Sequence, residues 1–121
     1  MPAEVSHAQW KPVTLAEARS LFDQGARFLD ARSEEDYNKL HVWWAMHYTP
    51  AMDDSLREML KLAMVTHQKI VVYGRETSFW PAAIIAQRLR NMGFQDVYVM
   101  DASFQDWVDA GYPTTQQPFT P

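Results

Sequence analysis

A chain of 121 residues suits one compact domain rather than two, and with 47% hydrophobic and 13% aromatic residues it can bury a core without disulfides or a structural metal. The 11 Lys and Arg against 15 Asp and Glu give a net charge of -4 with no basic block, which argues against nucleic acid as a partner. No apolar run approaches the roughly 20 residues that cross a bilayer, and Met1-Pro2-Ala3-Glu4 lacks the basic and apolar regions of a signal peptide.

The chain therefore reads as soluble, with no membrane insertion of its own. A cytoplasmic location is the simplest expectation, with a periplasmic or membrane-associated parent protein left open. There is no cysteine, which removes disulfides, thiolate metal sites and thiol catalysis but does not fix a redox compartment.

In chain order, residues 1–13 show no period and read as an N-terminal arm, with Trp10 and Val13 able to pack on the body. Thr14-Leu15-Ala16-Glu17 has the form of a capping box. A helix is expected from there, with Leu15, Ala18, Leu21 and Phe22 on one face and Gly25 ending it with a positive φ. Arg27 to Ala31 follows as a short buried strand. Ser33 with Asp36 signals a short helix ending before His41, and a second strand is expected within Ala45 to Thr49.

Asp53, Asp54 or Ser55 can cap a helix presenting Leu56, Met59, Leu60 and Ala63. Ile70-Val71-Val72-Tyr73 is a near-continuous apolar run, as expected of a central parallel strand covered on both faces. Pro81 suits the first turn of a helix whose stripe is Ala82, Ile85, Ala86 and Leu89 and which stops at Gly93. Val97 to Met100 is another strand, Phe104 to Ala110 a last short helix, and residues 114–121 a polar tail containing proline. Strands alternating with helices imply an α/β fold of three layers, α/β/α, around a mostly parallel sheet of about five strands.

Four segments spread over residues 14–113 resemble the rhodanese homology domain, single-domain type. Phe28-Leu29-Asp30-Ala31-Arg32 with Glu35 and Tyr37 is similar to that family's Leu-Asp-Val-Arg box. His41-Val42 through Ala45 to Pro50 is similar to Gly-His-Ile-Pro-Gly-Ala-Ile-Asn-Ile-Pro, with Leu40, Trp43 and Trp44 replacing glycine, proline and glycine. Val71 to Gly74 lines up with the strand that delivers the catalytic cysteine, and Met92-Gly93-Phe94 with Val97-Tyr98 resembles the Ala-Gly-Phe and next strand. Ala102 to Trp107 and on to Pro113 resembles the family ending Gly-Gly-Ile-x-x-Trp-x-x-x-Gly-x-Pro.

The resemblance implies sulfurtransferase chemistry, in which a thiolate carries a sulfane sulfur as a persulfide. Gly74 stands at that position, so the resemblance also implies a degenerate site: a binding, regulatory or assembly module without catalytic residues. The alternative is a rhodanese-type sulfurtransferase whose cysteine has been lost by mutation or is supplied in trans. Thr77 and Ser78 are hydroxyls without an evident base and do not replace a thiolate.

The Gly74–Trp80 segment, comprising Gly74, Arg75, Glu76, Thr77, Ser78, Phe79 and Trp80, is the candidate loop for substrate or a small anion. Phe79-Trp80-Pro81 occupies the loop end where relatives keep an arginine or small polar residues, and the spacing from Gly74 to Gly93 is about two residues longer than in short-loop relatives. Arg75 beside a helix start suits an anion or simply a partner such as Glu76. Asp30 and Arg32 read as strand-end ties. His41, His47 and His67 lack the spacing of a zinc site, and no metal or cofactor is expected. Trp43, Trp44, Phe79 and Trp80 either form a surface for a protein partner or for self-association, or fill a vacated pocket.

Overall fold

The computed structural model describes residues 10–48, 54, 58, 61, 68–74 and 80–117. Helix α1 (Leu15–Asp23) begins at the expected capping box: Thr14 Oγ1 accepts from Glu17 N–H, and the Glu17 carboxylate accepts from Thr14 N–H at 2.8 Å. It ends at Gly25, whose φ of 90° is open to glycine at little cost. Helix α2 (Glu34–Lys39) is capped by Ser33, which accepts from Asp36 N–H. Helix α3 (Trp80–Met92) carries Pro81 at its second position, where no intrahelical N–H is lost. Helix α4 (Phe104–Asp109) starts at a second capping box, Ser103 with Asp106.

Five strands form the main sheet, all neighbours parallel: β1 (Lys11–Val13), β6 (Val97–Ser103), β5 (Ile70–Gly74), β2 (Arg27–Asp30) and β4 (Met46–His47), in that spatial order. Strand side chains alternate between the faces. Leu29, Ile70, Val72, Val97 and Val99 pack under α3 with Ala82, Ala86 and Leu89, while Phe28, Val71, Tyr73 and Met100 pack on the other face with Ala18, Leu21 and Trp107. β5, flanked by β2 and β6 and covered above and below, is buried at every residue, which is why its sequence is apolar without alternation. On the α1–α4 face, Trp107 lies 5.4 Å from Phe28 and 5.7 Å from Phe22, tilted or edge-on as aromatic quadrupoles prefer. This is the expected three-layer α/β fold.

Three strands lie outside the expected elements. Lys11–Val13, at the end of the expected arm, pairs with Tyr98–Met100 as the edge strand β1, a position that tolerates Pro12 because one side of an edge strand needs no N–H donor. β3 (His41–Val42) and β7 (Thr114–Thr115) form a separate antiparallel ribbon. Two residues per strand are too few for any periodicity to show. Of the helix expected between residues 53 and 63, Asp54, Glu58 and Lys61 have helical backbone and are exposed. Leu56, Met59, Leu60 and Ala63 lie outside the described residues.

Candidate functional site

β5 delivers Gly74 to the C-terminal edge of the sheet, beside Ser103 of β6 across a register irregularity that begins at Val72. Gly74 is buried, its φ lies outside the left-handed region, and a Cβ built on it would meet no atom of the described residues within 4 Å. Glycine usually marks a positive φ or a close backbone approach. Among the described residues Gly74 shows neither: the backbone there accepts an L side chain, and no described atom crowds one. Arg75, Glu76, Thr77, Ser78 and Phe79 lie outside the described residues, as does the side chain of Trp80, whose backbone opens α3.

Beneath this edge lies a buried charged network. Asp30 Oδ2 accepts from Arg32 Nη2 at 2.6 Å and from the Tyr73 hydroxyl at 2.6 Å, and Asp30 Oδ1 accepts from Arg32 N–H at 2.8 Å. Arg32 Nη2 also donates to Leu40 O at 2.6 Å, and its guanidinium sits 4.0 Å above the Phe104 ring. Tyr73 OH accepts from Val42 N–H at 3.1 Å. Burial opposes the Arg32 charge, but the hydrogen bonds and charge of Asp30 outweigh it and raise its pKa above the ordinary value. Burial, with the Asp30 charge second, pushes the Tyr73 hydroxyl well above the ordinary phenol range. Asp30 and Arg32 thus tie β2, α2, β3 and β5 together.

His41 is buried, stacks face-on 3.8 Å from Tyr37, and its Nδ1–H donates to Tyr37 O at 2.7 Å. His47 Nε2 meets Arg32 O at 2.7 Å, while His67 is outside the described residues. Among the described residues no three His, Cys, Asp or Glu side chains gather as metal ligands. No helix among them is long and apolar enough to cross a membrane.

Of the aromatic residues singled out in the sequence, Trp43 and Trp44 fall at one end of the sheet and the Trp80 backbone at the other, with Phe79 outside the described residues. Trp43 and Trp44 form the turn between β3 and β4, closed by Ala45 N–H donating to Val42 O at 2.9 Å, at the end where β2 and β5 begin. Trp80 stands at the end where β5 finishes, about 13 Å away along a strand of this length. Trp44 has φ 71°, the only positive φ found outside glycine among the described residues. Such a turn calls for glycine at its third position, which is the residue that the resemblance pairs with Trp44. Both indoles are exposed, 46% for Trp43 and 61% for Trp44. They line a cleft of about 430 Å³ with Phe22, Arg27, Phe28 and Gln68.

A second cleft, about 400 Å³, flanks the Gly74 edge and was not read from the sequence. Arg32, Glu34, His47, Tyr48, Ile84 and Arg88 line it, and Arg88 Nε donates to Tyr48 OH at 3.0 Å. It touches β5 through Ala31, whose N–H donates to Tyr73 O at 2.9 Å. Ile84 was the available signal: an apolar residue off the buried stripe of its helix, 60% exposed.

Comparison with known proteins agrees with this geometry. Over 62 residues the chain is 36% identical to the thiosulfate sulfurtransferase YnjE of Escherichia coli K12, a match that takes in 50% of this chain and spans 14% of that protein's length. It is 28% identical over 102 residues to the thiosulfate sulfurtransferase GlpE of Pseudomonas fluorescens Pf0-1, covering 83% of this chain and 86% of the relative. The rhodanese-like domain of the Anabaena protein Alr3790 has the same fold, with a TM-score of 0.67 at 23% identity over 88% of this chain and 79% of that one. The Rhodanese-like domain model matches residues 14–110, and with the sheet order, the capped last helix and the Asp30–Arg32 tie all in place, the chain belongs to the rhodanese-like family, as a member without cysteine.

Proposed function

We propose that this domain is a catalytically inactive rhodanese-like module that works by binding a protein partner or another copy of itself. The observation that carries this reading is Gly74 at the end of β5 in a chain with no cysteine anywhere. A persulfide needs a polarizable thiolate to hold it, and neither a glycine nor a hydroxyl serves. The test is turnover of thiosulfate and cyanide by the purified chain. Thiocyanate formation should equal the protein-free blank, and production that heat denaturation abolishes would overturn the reading.

One observation favours a second reading, a sulfurtransferase with its thiol supplied in trans: no atom of the described residues fills the space in front of Gly74. In that case an incoming thiolate attacks the outer sulfur of thiosulfate, forms the persulfide on the incoming thiol and releases sulfite. Sulfite release from thiosulfate and a small thiol, measured with the chain and with Gly74→Val, separates the two. Acceleration by the native chain that the valine removes supports transfer in trans, and equal rates support the inactive module.

A further inference from the structure

The Trp43–Trp44 cleft stands apart from the Gly74 edge, and its argument holds whether or not that edge is inactive. Two exposed indoles on one tight turn open on the same cleft, with Phe22 and Phe28 also lining it. Neither indole N–H has a hydrogen-bond partner among the described residues. The turn is braced from behind: Trp43 N–H donates to Pro113 O at 3.2 Å, and Arg27 Nη1 donates to Trp44 O at 3.4 Å. Gln68 Nε2 fixes the cleft wall by donating to Gly25 O at 2.7 Å.

Trp44 also holds a left-handed backbone conformation that costs an L residue energy and that glycine would adopt freely. Strain of this kind persists where the surroundings over-determine it, often at ligand clamps. Aromatic walls whose N–H donors are unpaired among the described residues match the requirements of one peptide conformation. A polyproline II helix has no internal hydrogen bonds, so its carbonyls are open acceptors, and it loses little entropy on docking between aromatic rings.

The chain itself contains such a segment. Pro118-Phe119-Thr120-Pro121 places two prolines three residues apart. Three residues make one turn of polyproline II, so in that conformation prolines at this spacing would share one edge of the helix, about 9 Å apart. Within one molecule the described chain, which extends to Gln117, leads away from the cleft. β7 leaves Pro113 antiparallel to β3, with Thr114 opposite Val42 and Thr115 opposite His41, and therefore runs away from the Trp43–Trp44 turn.

We propose that the Trp43–Trp44 cleft binds the Pro118–Pro121 segment of a second copy of this chain, the prolines seated against the indoles and the indole N–H groups donating to peptide carbonyls. The contact joins two different surfaces, so it builds head-to-tail assemblies rather than a symmetric pair.

The test has two arms. In the first, a synthetic peptide spanning residues 115–121 is titrated into the whole chain while tryptophan emission is followed, beside a peptide with Pro118→Ala and Pro121→Ala. Saturable binding of the native peptide, weakened about tenfold or more by the alanines and by Trp44→Ala in the chain, is expected. In the second, sedimentation velocity compares the chain with its Pro118→Ala/Pro121→Ala variant, which changes nothing in the sheet or its helices. Concentration-dependent association lost in the variant supports the proposal. A monomer at every concentration, association that survives the alanines, or equal binding of the two peptides overturns it, the last two outcomes assigning the cleft to a different occupant.

Discussion

Replacing Gly74 with cysteine puts back the atom whose absence defines this chain, and the structure sets what should follow. The new Cβ meets no atom of the described residues within 4 Å and the backbone is not left-handed, so among them neither a clash nor dihedral strain opposes it. A side chain at a strand glycine also narrows the unfolded ensemble, which stabilises by about 0.4 to 1 kcal/mol where the native conformation is compatible. For a domain of this size that raises Tm by roughly 2 to 5 °C. Thiosulfate and cyanide turnover should nonetheless stay near background. Anion stabilisation depends on placed donors, each worth about 10² to 10³ in rate, and Phe79-Trp80-Pro81 has replaced the polar end of the loop. Thermal melts and a thiocyanate assay on the single variant read both quantities. A Tm lowered by more than about 5 °C would show that the space at Gly74 is not open, and robust turnover would show that only the cysteine had been lost.

Tyr73→Phe leaves Val42 N–H without its acceptor and takes one donor from buried Asp30; a loss of about 2 to 4 kcal/mol in urea unfolding is expected, and a loss under 0.5 kcal/mol would contradict the network's role. Because burial raises the Tyr73 hydroxyl above its ordinary value, its contribution to stability is fully present below the unfolded phenol value near 10 and falls as pH climbs above it, by up to about 1.4 kcal/mol per pH unit. Melts from pH 8 to 11 should show this alkaline loss, and it should be shallower in Tyr73→Phe. Trp44→Gly removes the left-handed strain, worth about 1 to 2 kcal/mol, against about 0.5 to 1 kcal/mol of added chain entropy and the packing of a side chain that is 61% exposed. Its stability should stay within about 1 kcal/mol of the native chain, and a larger loss by calorimetry would mean that the indole is a core residue.

Much of this molecule follows from neighbours in sequence. The caps at Thr14, Ser33 and Ser103, the positive φ at Gly25 and the apolar run of β5 rest on contacts within four residues or on unbroken burial of a short strand, and each is written where it acts. The absence of a cysteine is likewise a property of composition alone. Other features depend on partners far along the chain. β1, β3 and β7 are two or three residues long and exist because Tyr98, Thr114 and their neighbours arrive beside them, with Trp107 Nε1 holding Pro113 O at 2.8 Å. Trp43–Trp44 and Trp80 look alike as aromatic replacements in the sequence, yet parallel pairing of β2 with β4 and β5 sends them to opposite ends of the sheet. The space in front of Gly74 is a property of the folded edge alone, since a glycine in sequence does not say whether its missing side chain has been crowded out or merely lost.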